Sequence, residues 1–139
     1  MIYYVCKYTP IELLEGFGAE CARLEPLPDN FDIADSLSHP NMCGYGKAII
    51  EEVFTKGIKE MVLVDCCDVI RRVYDVLEES GNMDFLYLLE LPHRTGKRET
   101  EIFAGNLKAL AEKYKAYSGK SFDVNKALAS FADTVPSAD

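Results

Sequence analysis

Long apolar runs are missing from this sequence. The most extended ones, Met61-Val-Leu-Val64 and Phe85-Leu-Tyr-Leu-Leu89, are the size of β-strands. A membrane-spanning helix needs about 18 consecutive apolar residues. The opening stretch, Met1-Ile-Tyr-Tyr-Val-Cys-Lys7, has no basic segment followed by an apolar one, so it does not read as a secretory leader. Positive charge is also scarce: 15 Lys and Arg stand against 23 Asp and Glu, for a net charge of −8. That sign disfavours non-specific binding to nucleic acid, which needs a cationic surface. It leaves open a small anion held in a local basic pocket. Histidine occurs only at His39 and His93, both in expected loops, where a surface role is the simpler reading. Internal repeats and low-complexity segments are lacking. The expectation is one cytoplasmic α/β domain over residues 1–139, with no membrane and no nucleic-acid partner. A chain of this length buries roughly two thirds of its unfolded surface.

Five cysteines are present: Cys6, Cys21, Cys43, Cys66 and Cys67. An odd count in a reducing compartment argues against a disulfide framework and leaves thiol chemistry, metal binding or plain burial.

Two hydrophobic periodicities alternate along the chain. Ile2-Tyr-Tyr-Val5 reads as a strand, and Thr9-Pro10 with Glu12 reads as a capping box opening a short helix that Gly16 and Gly18 end. Residues 20–24 form a weaker strand candidate. Residues 25–41 carry three prolines and read as a long irregular loop, of a length that is usually functional in a compact domain. A helix over 43–55, a buried strand over 60–65, a helix over 68–79 and a strand over 84–91 follow. A long helix over 99–117 and a short one over 122–131 complete the chain. The alternation predicts a flavodoxin-like three-layer unit: a four-stranded parallel sheet with extra C-terminal helices.

In such sheets ligands sit beyond the carboxyl ends of the strands. Cys66 and Cys67 fall between the 60–65 strand and the next helix, where free backbone N–H groups and the positive helix end favour a thiolate. Cys43 holds the equivalent place at the start of the preceding helix. Thiolates converging from neighbouring β-α units suit a soft metal or an iron–sulfur cluster. The alternative is buried, inert thiol, since free Cys is among the most buried residue types. Cys6 and Cys21 read as core or strand-end residues. The basic run Pro92-His-Arg-Thr-Gly-Lys-Arg98 reads as a solvated loop or as a contact for ligand phosphates. Arg71 and Arg72 read as structural, with one of them able to reach the cluster rim or to pair with Asp75. The glycines of Cys43-Gly-Tyr-Gly-Lys47 do not make a phosphate loop, because Ala48 follows Lys47 where Ser or Thr is required. They read instead as room for a bulky group beside Cys43.

Four segments in order carry a family resemblance: Tyr8-Thr-Pro-Ile-Glu-Leu-Leu14, His39-Pro-Asn-Met-Cys-Gly-Tyr-Gly-Lys47, Val64-Asp-Cys-Cys-Asp-Val-Ile-Arg-Arg-Val-Tyr-Asp75, and the strand from Phe85 to Pro92. To about residue 130 the chain resembles the N-terminal domain of the 2-hydroxyacyl-CoA dehydratase and benzoyl-CoA reductase subunits, a family that includes double-cubane cluster proteins. The resemblance implies a [4Fe-4S] cluster held by three cysteines of a longer subunit, two of them matching Cys43 and Cys67. Cys67 is favoured over Cys66 because the family's second segment commonly reads Cys-Asp, as in Cys67-Asp68. It implies a second homologous subunit, an ATP-dependent iron–sulfur activator protein and an acyl-CoA substrate. The implied reaction is a dehydration started by one low-potential electron delivered to the thioester. No further cysteine follows Cys67. The expectation is therefore a domain or fragment of a longer subunit, not active by itself. A double-cubane electron-transfer protein and a non-enzymatic interaction module are the alternatives.

Overall fold

The computed structural model describes residues 1–6, 9–37, 42–65, 68–91 and 96–134, the last four of these by backbone alone. Among the described residues there are four strands: β1 (Ile2–Tyr4), β2 (Cys21–Arg23), β3 (Glu60–Asp65) and β4 (Phe85–Glu90). Between and after them lie α1 (Ile11–Gly16), α2 (Asp32–Leu37), α3 (Gly44–Thr55), α4 (Asp68–Ser80), α5 (Lys97–Ser118) and α6 (Val124–Thr134). The sheet runs β2-β1-β3-β4 and every pairing is parallel. The longest pairing aligns Glu60 with Phe85 and continues to Asp65 opposite Glu90. This is the α/β architecture that the alternating pattern predicts.

β3 explains the layering. Its residues Met61 to Val64 are wholly buried, and alternate side chains of a strand point to opposite faces. Met61 and Leu63 join Ile49, Ile50 and Val53 of α3 and Ile70, Val73 and Leu77 of α4. Val62 turns the other way, to Ile2, Leu14 and Phe17 around α1 and Leu110 and Tyr114 of α5. A strand covered on both faces has no solvent side, which is why its sequence shows no polar alternation. On the second face Tyr114 sits between aromatic neighbours, edge-on to Phe17 at 5.6 Å and to Phe85 at 5.4 Å between ring centres.

Two local expectations are corrected. Thr9 does not cap α1: its hydroxyl donates to the Cys6 carbonyl at 2.7 Å, and Pro10 precedes the helix without a side-chain cap. A Thr hydroxyl three residues after a carbonyl closes a turn as readily as it caps a helix. The irregular stretch over residues 25–41 contains a helix, α2. Its first N–H groups find acceptors on side chains: Asn30 Oδ1 for Asp32 at 3.1 Å, and Glu51 Oε1 for Ile33 at 2.9 Å and Ala34 at 3.0 Å. Glu51 lies in α3 and is buried. A six-residue helix is marginal alone, and this one is held by a carboxylate from another element.

Candidate functional site

β1 connects by α1, on one face of the sheet, to its neighbour β2, and β2 connects by α2 and α3, with α3 on the other face, to β3 on the far side of β1. The connections therefore diverge between β1 and β3, and the crevice beyond the carboxyl ends of these two strands is the expected ligand site. β1 leads there into Val5, Cys6 and Thr9, and β3 ends there at Asp65. α3 begins there, since Tyr45 in its first turn shares a cavity of about 270 Å³ with Val5, Leu24 and Leu27. α4 begins three residues beyond Asp65.

Cys43 immediately precedes α3, with an extended backbone at φ −67° and ψ 159°. It is exposed, forms no disulfide, and its side chain makes no capping hydrogen bond. Its carbonyl accepts the Lys47 N–H at 3.2 Å. The thiol is thus uncommitted to its own helix. Beside it Gly44 is open, since a Cβ there would meet nothing within 4 Å. Gly46 is different. A Cβ at that position would stand 2.9 Å from Val69 Cγ1 and 3.1 Å from Met42 Cγ and Sδ. The expected space for a bulky group therefore exists at Gly44 and not at Gly46, where the first turns of α3 and α4 touch. Lys47, the residue that made the segment look like a phosphate loop, is occupied by Asp35 at 3.0 Å.

At the far side of the crevice Arg71 bridges the ends of two strands. Its Nη2 meets Asp65 Oδ2 at 2.6 Å and Glu90 Oε1 at 3.5 Å. Of the two options the sequence offers, Arg71 takes the rim rather than Asp75. An ion pair six residues apart, from a strand end into the next helix, has no local sequence signature. The hydrogen bond and charge of Asp65, with a smaller effect of Glu90, raise the guanidinium pKa further. The two thiols expected nearest to this clip, Cys66 and Cys67, lie outside the described residues. So do His39, His93 and most of the basic loop, residues 92–95. Among the described residues no three His, Cys, Asp or Glu side chains converge as a metal site.

Cys6 and Cys21 take the places expected of them, half-buried at a strand end and at a strand start. Burial, then the charge of Glu15, pushes the Cys21 thiol up to about 12, so it stays protonated and is a poor metal ligand. It borders the larger cavity of about 570 Å³, with Glu15, Ala19, Lys126 and Ser130, at the amino ends of the strands. Volume alone favours that end. Fold topology and the free thiol of Cys43 favour the other, and they decide the matter because parallel sheets present their loops for chemistry at the carboxyl side.

A doubly wound parallel sheet with a free thiol at its topological switch point defines the class as a flavodoxin-like α/β unit with a candidate thiol-bearing crevice. Within that class the sequence comparison is specific. The family of the 2-hydroxyglutaryl-CoA dehydratase D-component matches residues 6–134, and the chain belongs to that family. No curated protein matches the chain. Membership carries a 2-hydroxyacyl-CoA dehydratase D-component-like role in a multi-subunit dehydratase system. No described helix is long and apolar enough to cross a membrane.

Proposed function

We propose that this chain supplies part of an iron–sulfur site in a dehydratase acting on 2-hydroxyacyl-CoA thioesters, with Cys43 and Cys67 as thiolate ligands and Cys66 as the alternative to Cys67. The observation that carries the reading is the position of Cys43: an exposed, unbridged thiol at the switch point of the sheet, beside the open space over Gly44. Soft thiolates are the donors an iron–sulfur cluster requires, so the chemistry of this residue fits the group. A [4Fe-4S] cluster is the expected species, completed by a ligand from beyond these residues. When bound, it supplies the single low-potential electron that dehydration of such a thioester needs.

The chain's own contribution is placement. α3 presents Cys43 at the edge of the crevice with its side chain uncommitted. The Asp65–Arg71–Glu90 clip ties the end of β3 to α4 and β4, the elements that flank Cys66 and Cys67 in the chain. The buried strands beneath give the crevice a dry floor, where cluster potential is set by charge and hydrogen bonding as well as by ligand type. Exposed apolar side chains occur along the segment that leads into α3: Leu27 and Tyr45, which line its cavity, and Phe31, Ile33 and Leu37 in or next to α2. Exposed apolar surface of this kind supports cover by further protein, in keeping with a partner subunit of the same family and an iron–sulfur activator protein. The cytoplasm is the compartment that suits such thiols.

The test is electron paramagnetic resonance of the intact protein, purified without oxygen and reduced. A cluster signal that shifts on addition of a 2-hydroxyacyl-CoA is expected. A signal indifferent to every acyl-CoA would move the reading to electron transfer of the double-cubane type, and the lack of any iron signal would contradict both.

A further inference from the structure

We propose that the amino end of the sheet carries a second ligand site, one for a small zwitterion, a molecule bearing both a carboxylate and an ammonium group. It lies at the opposite end from the cysteine crevice and does not depend on the iron–sulfur reading. Two cavities of about 570 and 310 Å³ adjoin there, with Gly18, Ala19 and Glu20 in the walls of both. α1 contributes Glu15 to the larger one, and α6 contributes Lys126 and Ser130. Lys120, from the link between α5 and α6, borders the smaller one. Ser130 is 4% exposed, and its Oγ has no hydrogen-bond partner among the described residues. A serine inside a helix can return its hydroxyl to a carbonyl of the preceding turn, and this one does not. A buried hydroxyl without a partner is unfavourable, and a ligand in the cavity would supply the partner.

The chain leaving α5 folds back over α1 and seats the lysines. Phe122 packs edge-on to Phe17 at 5.3 Å between ring centres, and the Asp123 N–H donates to the Gly16 carbonyl at 2.7 Å. A Cβ at Gly18 would stand 3.5 Å from Lys126 Nζ and 4.0 Å from Lys120 Nζ. The two ammonium groups are thus no further apart than twice the longer of these distances. Like charges that close repel. Neither lysine forms an ion pair among the described residues, and neither do Glu15 and Glu20 in the same walls. Glu60, which also borders the smaller cavity, is already engaged by the Met1 amino group and by Tyr117. These unpaired charges set the class of ligand. Two ammonium groups and two carboxylates cancel, so a simple anion would add charge to a neutral wall in a chain of net charge −8. The Cys21 thiol, pushed up to about 12, adds no third negative charge. A zwitterion is matched at both ends: Lys120, Lys126 and Ser130 take its carboxylate, and Glu15 and Glu20 take its ammonium group.

The test is a nuclear magnetic resonance titration of the intact protein. The probes are glycine, γ-aminobutyrate and ε-aminocaproate, which carry the same two charges at increasing separation, with butyrate and butylammonium carrying one charge each. At least one of the zwitterions is expected to bind about tenfold more tightly than either single-charge probe, and to shift the amides of Gly18, Ala19 and Ser130. Lys120→Ala with Lys126→Ala, and separately Glu15→Gln, should each weaken that binding by about tenfold. Ser130→Ala should weaken it by about threefold or more while leaving the thermal midpoint unchanged or raised, because it removes a hydroxyl that has no partner in the free protein. That pairing of weaker binding with undiminished stability separates a ligand contact from damage to the fold. Butyrate binding as tightly as the best zwitterion would overturn the zwitterion assignment in favour of a plain anion site. No binding by any probe, or binding that survives the lysine and Glu15 substitutions, would overturn the site itself. Neither result bears on iron at the cysteine crevice.

Discussion

At the scale of single residues, ionisable groups are sorted by their surroundings more than by their type. Cys21 and Cys43 carry the same thiol. Cys21, at the amino side of the sheet, is pushed up to about 12 by burial and by Glu15, whereas Cys43 is exposed at the crevice. Tyr117 is likewise raised to about 12, chiefly by the hydrogen bond its hydroxyl donates to Glu60 Oε2 at 2.8 Å. Tyr74, Tyr87 and Tyr114 are raised too, each chiefly by burial. All these groups keep their protons to higher pH in the folded state than in the unfolded one. The folded protein then binds more protons than the unfolded chain between the two pKa values, so stability falls as pH rises. Stability is therefore expected to hold up to about pH 9, the ordinary value for Cys21, and to decline toward about 12. Urea unfolding at increasing pH checks this. Cys21→Ser and Tyr117→Phe should each flatten the decline, and a stability that rises through this window would contradict the assignment.

At the scale of elements, the long periodic segments were legible and the tethered ones were not. α3, α4 and β3 declare themselves because Ile49, Ile50, Val53, Val73 and Leu77 recur at helical spacing and Met61 to Val64 run unbroken. α5 was placed within two residues, and it ends where Gly119 adopts a left-handed φ of 70° and donates to Lys115. α2 is not legible in the sequence because part of its support is Glu51, 17 residues away from Ala34 in the chain. That dependence gives a prediction. Glu51→Leu removes the carboxylate that accepts from the N–H groups of Ile33 and Ala34 and should cost about 1–3 kcal/mol. Glu51→Gln keeps an amide oxygen for them and should lose less. Urea midpoints and hydrogen exchange at Ile33 and Ala34 measure both, and equal losses in the two variants would assign the effect to something other than the hydrogen bonds.

At the scale of the whole molecule, the sequence reading reached the architecture and the crevice but not its fine geometry. Alternating periodicities were enough to predict a parallel sheet, and a parallel sheet determines at which end loops can do chemistry. Which strands flank the switch point was not legible, because the order β2-β1-β3-β4 depends on pairing between distant segments. The Arg71 clip and the contact at Gly46 were hidden for the same reason. The family resemblance carried the assignment to the dehydratases, and the match over residues 6–134 bears it out. The net charge of −8 gives no general attraction for an anion. On the proposed reading, selection of a thioester would then fall to local groups at the crevice.

The central claim is that Cys43 and Cys67 hold iron. Its most direct test is iron content and visible absorbance of the intact protein, purified without oxygen, compared with Cys43→Ser, Cys67→Ser and, as a control at the opposite end of the sheet, Cys21→Ser. The account predicts a brown protein that keeps its colour and iron in Cys21→Ser and loses both in Cys43→Ser and Cys67→Ser. Iron and colour retained in both Cys43→Ser and Cys67→Ser would contradict it.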